Sequence, residues 1–165
     1  MIPPVARVLP LLCLLAAAPV AAHAQGASVA FGGLKQDTSQ PVEISADQLA
    51  VNQADGTATF SGNVLVGQGQ MRLSAGSVRV EYGADGKAIE RLHATGGVTL
   101  ASGAEAAEAR EAVYTIASGQ VVMTGDVMLT QGQSALSGQK LVIDLKAGTG
   151  VVEGRVQTIF VPGGN

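Results

Sequence analysis

The chain has 165 residues, of which 47% are hydrophobic, 3% aromatic and 14% charged, and its formal net charge at pH 7 is −3. This length fits one domain, and the slight negative charge argues against a basic surface that would bind nucleic acid. With one cysteine and 22 glycines, the composition favours many short strands and tight turns over a helical bundle or a disulfide scaffold.

The segment from Met1 to Ala24 has the pattern of a secretory signal peptide. One positive charge, Arg7, precedes an apolar run over residues 8–22 that is too short and too proline-rich for a good membrane span. Ala22-His23-Ala24 is a small-x-small cleavage site. We therefore expect cleavage after Ala24 and export, with an uncleaved anchor as the alternative. Cys13 then leaves with the leader, and a flexible segment over residues 25–40 follows.

Four similar segments organise the rest of the chain: FSGNV (60–64), ATGGV (94–98), MTGDV (123–127) and VEGRV (152–156). Their glycines, Gly62, Gly96, Gly125 and Gly154, recur at a nearly regular interval, which indicates a repeated supersecondary unit. Alternating runs begin at a constant distance after the first three glycines, at VRVEY (78–82), AVYTI (112–116) and LVIDL (141–145). Each unit is therefore predicted to contain two strands and two turns.

Short connectors rich in glycine, asparagine and aspartate separate the predicted strands, as in NQADG (52–56) and GADG (83–86). Such connectors join antiparallel strands, because a parallel crossover needs a dozen or more residues. AEAAEAREA (104–112) has a helix-favouring composition, but the repeat predicts a strand there. The predicted fold is all-β and antiparallel.

Side-chain alternation gives each predicted strand one apolar and one polar face. Around Gly62, the apolar face carries Ala58, Phe60, Val64 and Val66, and the glycine row is expected to leave a strip of the interior without side chains. Such a sheet buries its apolar face against a second sheet or closes on itself. Two interpretations stay open: a bend over a filled core, or the border of a groove for an elongated apolar ligand.

The segments VEISADQLAVNQADGTATFSGNVLV (42–66) and MRLSAGSVRVEY (71–82) resemble the OstA-like family of lipopolysaccharide-transport proteins. Its I-x-A-D-x-L motif is similar to residues 44–49, and its G-x-A-x-F-x-G-N-V motif to residues 56–64. The resemblance covers residues 41–161, before a C-terminal tail at 162–165, and weakens in later repeats, where Gly97, Asp126 and Arg155 replace Asn63. It implies a β-jellyroll, a V-shaped, folded-over pair of antiparallel sheets with an apolar interior groove, which binds lipopolysaccharide acyl chains and carries them across the periplasm.

The resemblance also implies partners and a ligand-binding face. The partners would be lipopolysaccharide, the inner-membrane and outer-membrane proteins LptC and LptD, and further copies of the chain, joined through edges near residues 40–45 and 155–161. The groove candidates are Phe60, Val64, Val66, Val78, Val80, Leu92, Val98, Leu100, Tyr114, Val121, Met123, Val127, Leu129, Leu141, Ile143 and Phe160. Each of these residues could instead be an ordinary core residue.

An enzyme is not expected. Outside the leader the sequence has one histidine, His93 on the predicted polar face, and it has no metal-ligand spacing, nucleophile elbow or phosphate loop. We predict no catalytic residues, no metal and no cofactor. Two alternatives to a periplasmic bridge remain: an LptC-like partner domain, against which the cleavable leader argues, and a filament-forming β-repeat protein with a filled core.

Overall fold

The computed structural model describes residues 27–30 and 32–160. The expected signal peptide, its cleavage site after Ala24 and the tail at 162–165 lie outside these residues. The described chain contains a 3₁₀ turn at Gly32–Leu34 and strands β1 (Ala27–Ala30), β2 (Glu43–Ser45), β3 (Gln48–Asn52), β4 (Thr57–Gln68), β5 (Met71–Tyr82), β6 (Ile89–Ser102), β7 (Glu105–Thr115), β8 (Gln120–Gln131), β9 (Ser134–Asp144), β10 (Thr149–Glu153) and β11 (Gln157–Ile159). Within these ranges, no helix has the length and apolar character needed to cross a membrane.

The strands form an antiparallel sheet in the order β1-β10-β9-β8-β7-β6-β5-β4-β2. β3, like β2, pairs with β4, and β11, like β10, pairs with β9. The ends of the sheet do not pair with each other, so it is not closed. The predicted all-β antiparallel fold is confirmed, and the helix-like composition of residues 104–112 gives way to β7 as the repeat indicates.

A row of β-bulges crosses the sheet at the repeated glycines. Pairs of consecutive residues with positive φ occupy residues 62–63, 96–97, 125–126 and 154–155. In β4, the register passes from Ser61 opposite Ser77 to Val64 opposite Ala75, so two residues face one. The same shift recurs in β6 and β8. Because a bulge bends its strand and the bulges lie in register, every long strand bends along this row.

The glycines of the bulge row contact outward-facing residues, and the expectation that they leave a bare strip of the interior is wrong. A Cβ atom on Gly62 would lie 2.6 Å from Oδ2 of Asp47, and one on Gly125 would lie 3.0 Å from Cβ of Arg110. Asp47 and Arg110 are both exposed. The missing side chains therefore make room for the neighbouring strand at the outer surface of the bend.

The core lies inside the bend, and strand segments on both sides of the bulge row contribute to it. Its buried side chains form one apolar cluster that runs from β4 to β10 and includes Leu34 from the 3₁₀ turn. The sequence predicts a flexible segment over residues 25–40. In the structure, residues 27–30 of that segment pair with β10, and Leu34 is fully buried.

Candidate functional site

The structure brings most of the sequence-predicted groove residues together in the apolar interior. Those that are at most 2% exposed are Val64, Val66, Val78, Val80, Leu92, Val98, Leu100, Tyr114, Val121, Met123, Val127, Leu129, Leu141 and Ile143. Phe60 is partly buried and packs against the same cluster. With such low exposure, the interior is filled and closed to water in this structure.

Phe160 does not lie in this interior. Its side chain is 75% exposed, and it follows β11, all of whose residues are exposed. The positive φ of Gly154 and Arg155 interrupts the strand before β11, so the alternation that places Val152 inside does not extend to Phe160. Phe160 belongs to the surface near the end of the sheet.

Several interior residues lie outside the predicted set. Met71, Leu73, Ala107, Leu136, Leu145 and Leu34 are each at most 4% exposed. The first four occupy β5, β7 and β9 on the far side of the bulge row from the runs that begin at residues 78, 112 and 141. Alternation within MRLSA (71–75) is the signal that could have identified Met71 and Leu73.

A buried polar contact joins β4 and β7 across the interior. The Tyr114 hydroxyl donates a hydrogen bond of 2.6 Å to Oε1 of Gln68. Nε2 of Gln68 donates to the carbonyl oxygens of Thr38 and Gln40, at 3.0 and 2.9 Å. Burial raises the pKa of Tyr114 to about 12, although its hydrogen bond with Gln68 acts in the opposite direction. The phenol is therefore neutral at physiological pH, and its donor is satisfied inside the protein.

Glu105 is a second buried polar group, at 6% exposure. Its Oε1 accepts a hydrogen bond of 2.6 Å from Nε2 of Gln131, and Oε2 is buried without a hydrogen-bond partner among the described residues. One carboxylate is a poor metal site, and the described chain has no group of three or more His, Cys, Asp or Glu residues placed to hold a metal ion. The arrangement is suited to enclosing apolar groups.

The charged side chains that form ion pairs lie on the outer surface of the sheet. Glu81 pairs with Arg79 at 2.7 Å and with Arg91 at 3.5 Å, and Arg110 pairs with Asp126 beside the bulge row. These groups are substantially exposed, so each pair contributes little to stability. The interior and the outer surface thus differ sharply in polarity, as alternation along the strands requires.

The sheet is antiparallel and folds over an apolar interior, and its two ends do not pair with each other. These features define an open β-jellyroll. A family model described as LptA/(LptD N-terminal domain) LPS transport protein matches residues 43–149. This chain belongs to that family.

Individual relatives agree with this assignment. The Lipopolysaccharide export system protein LptA of Escherichia coli (strain K12) is 30% identical over 146 residues, covering 82% of this chain and 79% of that protein. An uncharacterized protein of Rhizobium meliloti (strain 1021) is 32% identical over 153 residues, covering 86% of this chain and 82% of the relative. The crystal structure of LptH, the LptA-homologous periplasmic component of the lipopolysaccharide transport device of Pseudomonas aeruginosa, matches with a TM-score of 0.68 at 19% identity. That match covers 77% of this chain and 99% of LptH.

Proposed function

We propose that this protein is a periplasmic carrier that binds lipopolysaccharide and passes it from the inner to the outer membrane without covalent chemistry. The supporting observation is the apolar interior, to which strands from β4 to β10 contribute along the whole sheet, in a chain of the lipopolysaccharide-transport family. The predicted groove residues, apart from the exposed Phe160, are the proposed lining. The signal peptide would direct export and be removed by cleavage after Ala24.

The physical reason for such an interior is the cost of exposing acyl chains to water. Each methylene group left in water costs about 0.8 kcal/mol, so a chain of a dozen methylenes crossing the periplasm unaided faces a barrier of about 10 kcal/mol. Moving the chain from one apolar interior to the next exchanges apolar contacts for similar ones. A protein that holds the acyl chains throughout therefore removes most of this barrier.

The ends of the sheet are suited to strand addition by partner domains. β3 is an edge strand on which Leu49 and Val51 are 57% and 65% exposed, and at the other end Ile159 and Phe160 are 67% and 75% exposed. An edge that leaves backbone groups and apolar side chains uncovered invites pairing with another sheet. We propose head-to-tail contacts with further copies and with the similar domains of LptC and LptD. Because such contacts are heterologous, they extend into open assemblies.

A photo-reactive amino acid in β8 tests the carrier function. Leu129 is fully buried, whereas its neighbour Met128 is 48% exposed, so the two positions sample opposite faces of one strand. The carrier proposal expects lipopolysaccharide to be captured in cells from position 129 and not from position 128. Equal capture from both positions, or capture only from position 128, would contradict binding in the interior.

A filament-forming structural protein is the second candidate, and the filled interior of this structure favours it. Purified protein would then show no saturable binding of lipopolysaccharide. Leu129→Glu and Met128→Glu separate the candidates further. The carrier proposal expects Leu129→Glu to abolish binding, with Met128→Glu binding normally, whereas a structural protein would lose only stability in the Leu129 variant.

A further inference from the structure

The segment between β1 and β2 runs along the whole sheet. β1 pairs with β10 at one end and β2 pairs with β4 at the other, eight strand spacings apart. The strap, which we define as residues 32–40, contains the 3₁₀ turn at Gly32–Leu34 and a second turn, in which the backbone N–H of Gln40 donates to the carbonyl oxygen of Asp37 at 3.2 Å. It connects the two ends of the sheet.

The strap lies between two rows of turns. Successive hairpin turns alternate between the two rows. The first row contains the turns at residues 69–70, 103–104 and 132–133, and the second row contains those at residues 83–88, 116–119 and 145–148. Because every long strand bends at the bulge row, its two ends turn toward each other. Gln36 contacts both rows: its side-chain Nε2 donates to Oγ of Ser102 at 2.8 Å, and its backbone N–H donates to the carbonyl oxygen of Leu145 at 2.8 Å.

Further contacts attach the strap to both rows along its length. The carbonyl oxygens of Thr38 and Gln40 accept hydrogen bonds from Gln68, at the end of β4. On the second row, a Cβ atom added to Gly119 would lie 3.1 Å from Cγ2 of Thr38. Leu34 is fully buried in the same apolar cluster as the groove candidates. The strap thus covers the mouth of the interior, defined as the gap between the two rows of turns, and inserts one apolar side chain into it.

We infer that the strap is a built-in gate, which has to leave the mouth before an acyl chain enters the interior. This inference rests on the proposed carrier function. In the closed state, Leu34 occupies apolar space that an acyl chain would take. Most of the remaining contacts are hydrogen bonds to strand ends and turns, which water can replace when the strap lifts. A ligand that binds only the open state has its apparent affinity reduced by the fraction of open molecules, so strap stability sets lipopolysaccharide affinity.

A reversible disulfide tests the gate. The short distance between Gly119 and Thr38 places the Cβ atoms of a Thr38→Cys, Gly119→Cys pair within disulfide range. Cys13 is the sequence's one cysteine, and replacing it with alanine leaves the new pair alone. The positive φ of Gly119 strains the substitution, but oxidised and reduced forms of the same protein share that strain. We expect lipopolysaccharide binding at least tenfold weaker in the oxidised form, with full recovery on reduction.

A matched disulfide away from the strap controls for general stiffening. Thr99 and Glu108 lie opposite each other in β6 and β7, where the Cα spacing of antiparallel partners suits a disulfide. The Thr99→Cys, Glu108→Cys pair should bind lipopolysaccharide equally in both redox states. In the opposite direction, Leu34→Ala weakens the hold of the strap and should tighten apparent binding by about tenfold through a larger open fraction.

The outcomes separate the gate from the carrier function. If the reduced 38–119 protein binds lipopolysaccharide and the oxidised protein binds it equally well, the gate is refuted and the carrier function stands. If neither form binds lipopolysaccharide, the carrier function is refuted. In that case uptake of cis-parinaric acid, a fluorescent fatty acid, decides the gate: uptake only after reduction supports it, and equal uptake or none in both forms refutes it.

Discussion

Replacing Gly96 with alanine measures how closely the strands approach at the bulge row. Gly96 and Gly97 both have positive φ, at 82° and 80°. A Cβ atom on Gly96 would lie 3.2 Å from Cα of Gly76 in the neighbouring strand, whereas one on Gly97 would meet nothing within 4 Å. Left-handed backbone costs an L-residue about 1–2 kcal/mol, a cost that both alanine variants share. Only Gly96→Ala also pushes against backbone, which adds about 1–3 kcal/mol for overpacking.

We therefore expect Gly96→Ala to lower the free energy of unfolding by about 2–5 kcal/mol, against about 1–2 kcal/mol for Gly97→Ala. Urea unfolding followed by circular dichroism gives both values, provided that the denaturant slope is unchanged. Gly97→Asn is the matched control: Asn63 and Asp126 occupy the equivalent positions with φ of 47° and 50°, so its loss should be smaller than that of Gly97→Ala. Equal losses for Gly96→Ala and Gly97→Ala would refute a close approach of backbone at Gly96.

Two further predictions concern the buried Tyr114 and the edge of β10 that β1 covers. Because burial raises the pKa of Tyr114 to about 12, the folded chain keeps a proton that an unfolded tyrosine loses near pH 10. The free energy of unfolding should therefore fall by up to about 2.7 kcal/mol as pH rises from 10 to 12. In Tyr82→Phe, where Tyr114 is the remaining tyrosine, a tyrosinate absorbance midpoint near pH 10 would contradict this. Ser28 and Val151 lie opposite each other in β1 and β10, so a Ser28→Cys, Val151→Cys disulfide holds β1 on that edge. If partners add strands there, the protein should associate in sedimentation only after reduction, and equal association in both states would exclude that edge.

The repeat predicts most of this fold because its period fixes the strands and its glycines fix the bulges. Alternation also places residues correctly on both sides of each bulge in the glycine-bearing strands, because the two bulge residues take the place of one outward and one inward position. Phe60 and Val64 thus face inward, as predicted. The same alternation predicts that Gly62 faces the interior. Its left-handed conformation instead places it against the outward-facing Asp47.

The opposing strands explain why part of the interior escaped prediction. There a single residue lies opposite each two-residue bulge, so the inward positions change parity. In β5, Leu73 and Ala75 face inward before the bulge, and Val78 and Val80 face inward after it. Extending the alternation of residues 78–82 backward therefore assigns Leu73 to the wrong face. This change of parity depends on cross-strand register, which alternation within one strand does not report.

The strap cannot be predicted from periodicity. Its residues belong to no repeat, and Leu34 stands as a lone apolar residue between Gly33 and Lys35. The contacts of Gln36 with Ser102 and Leu145 join positions that are distant in the chain. Local composition favours a flexible segment, and only the fold brings the two rows of turns close enough for one segment to contact both.

The filled interior is compatible with a carrier of acyl chains for a thermodynamic reason. An interior left open without ligand would expose apolar side chains at about 25 cal/mol per Å², so a jellyroll that can close has a lower free energy when it is empty. Acyl chains entering the opened interior cover the same side chains and lose their own contact with water. Binding then exchanges one set of apolar contacts for another, so the ligand is held without being trapped. The stability of the closed state relative to the open state sets the affinity for lipopolysaccharide, and Leu34 is the side chain through which the strap contributes to that stability.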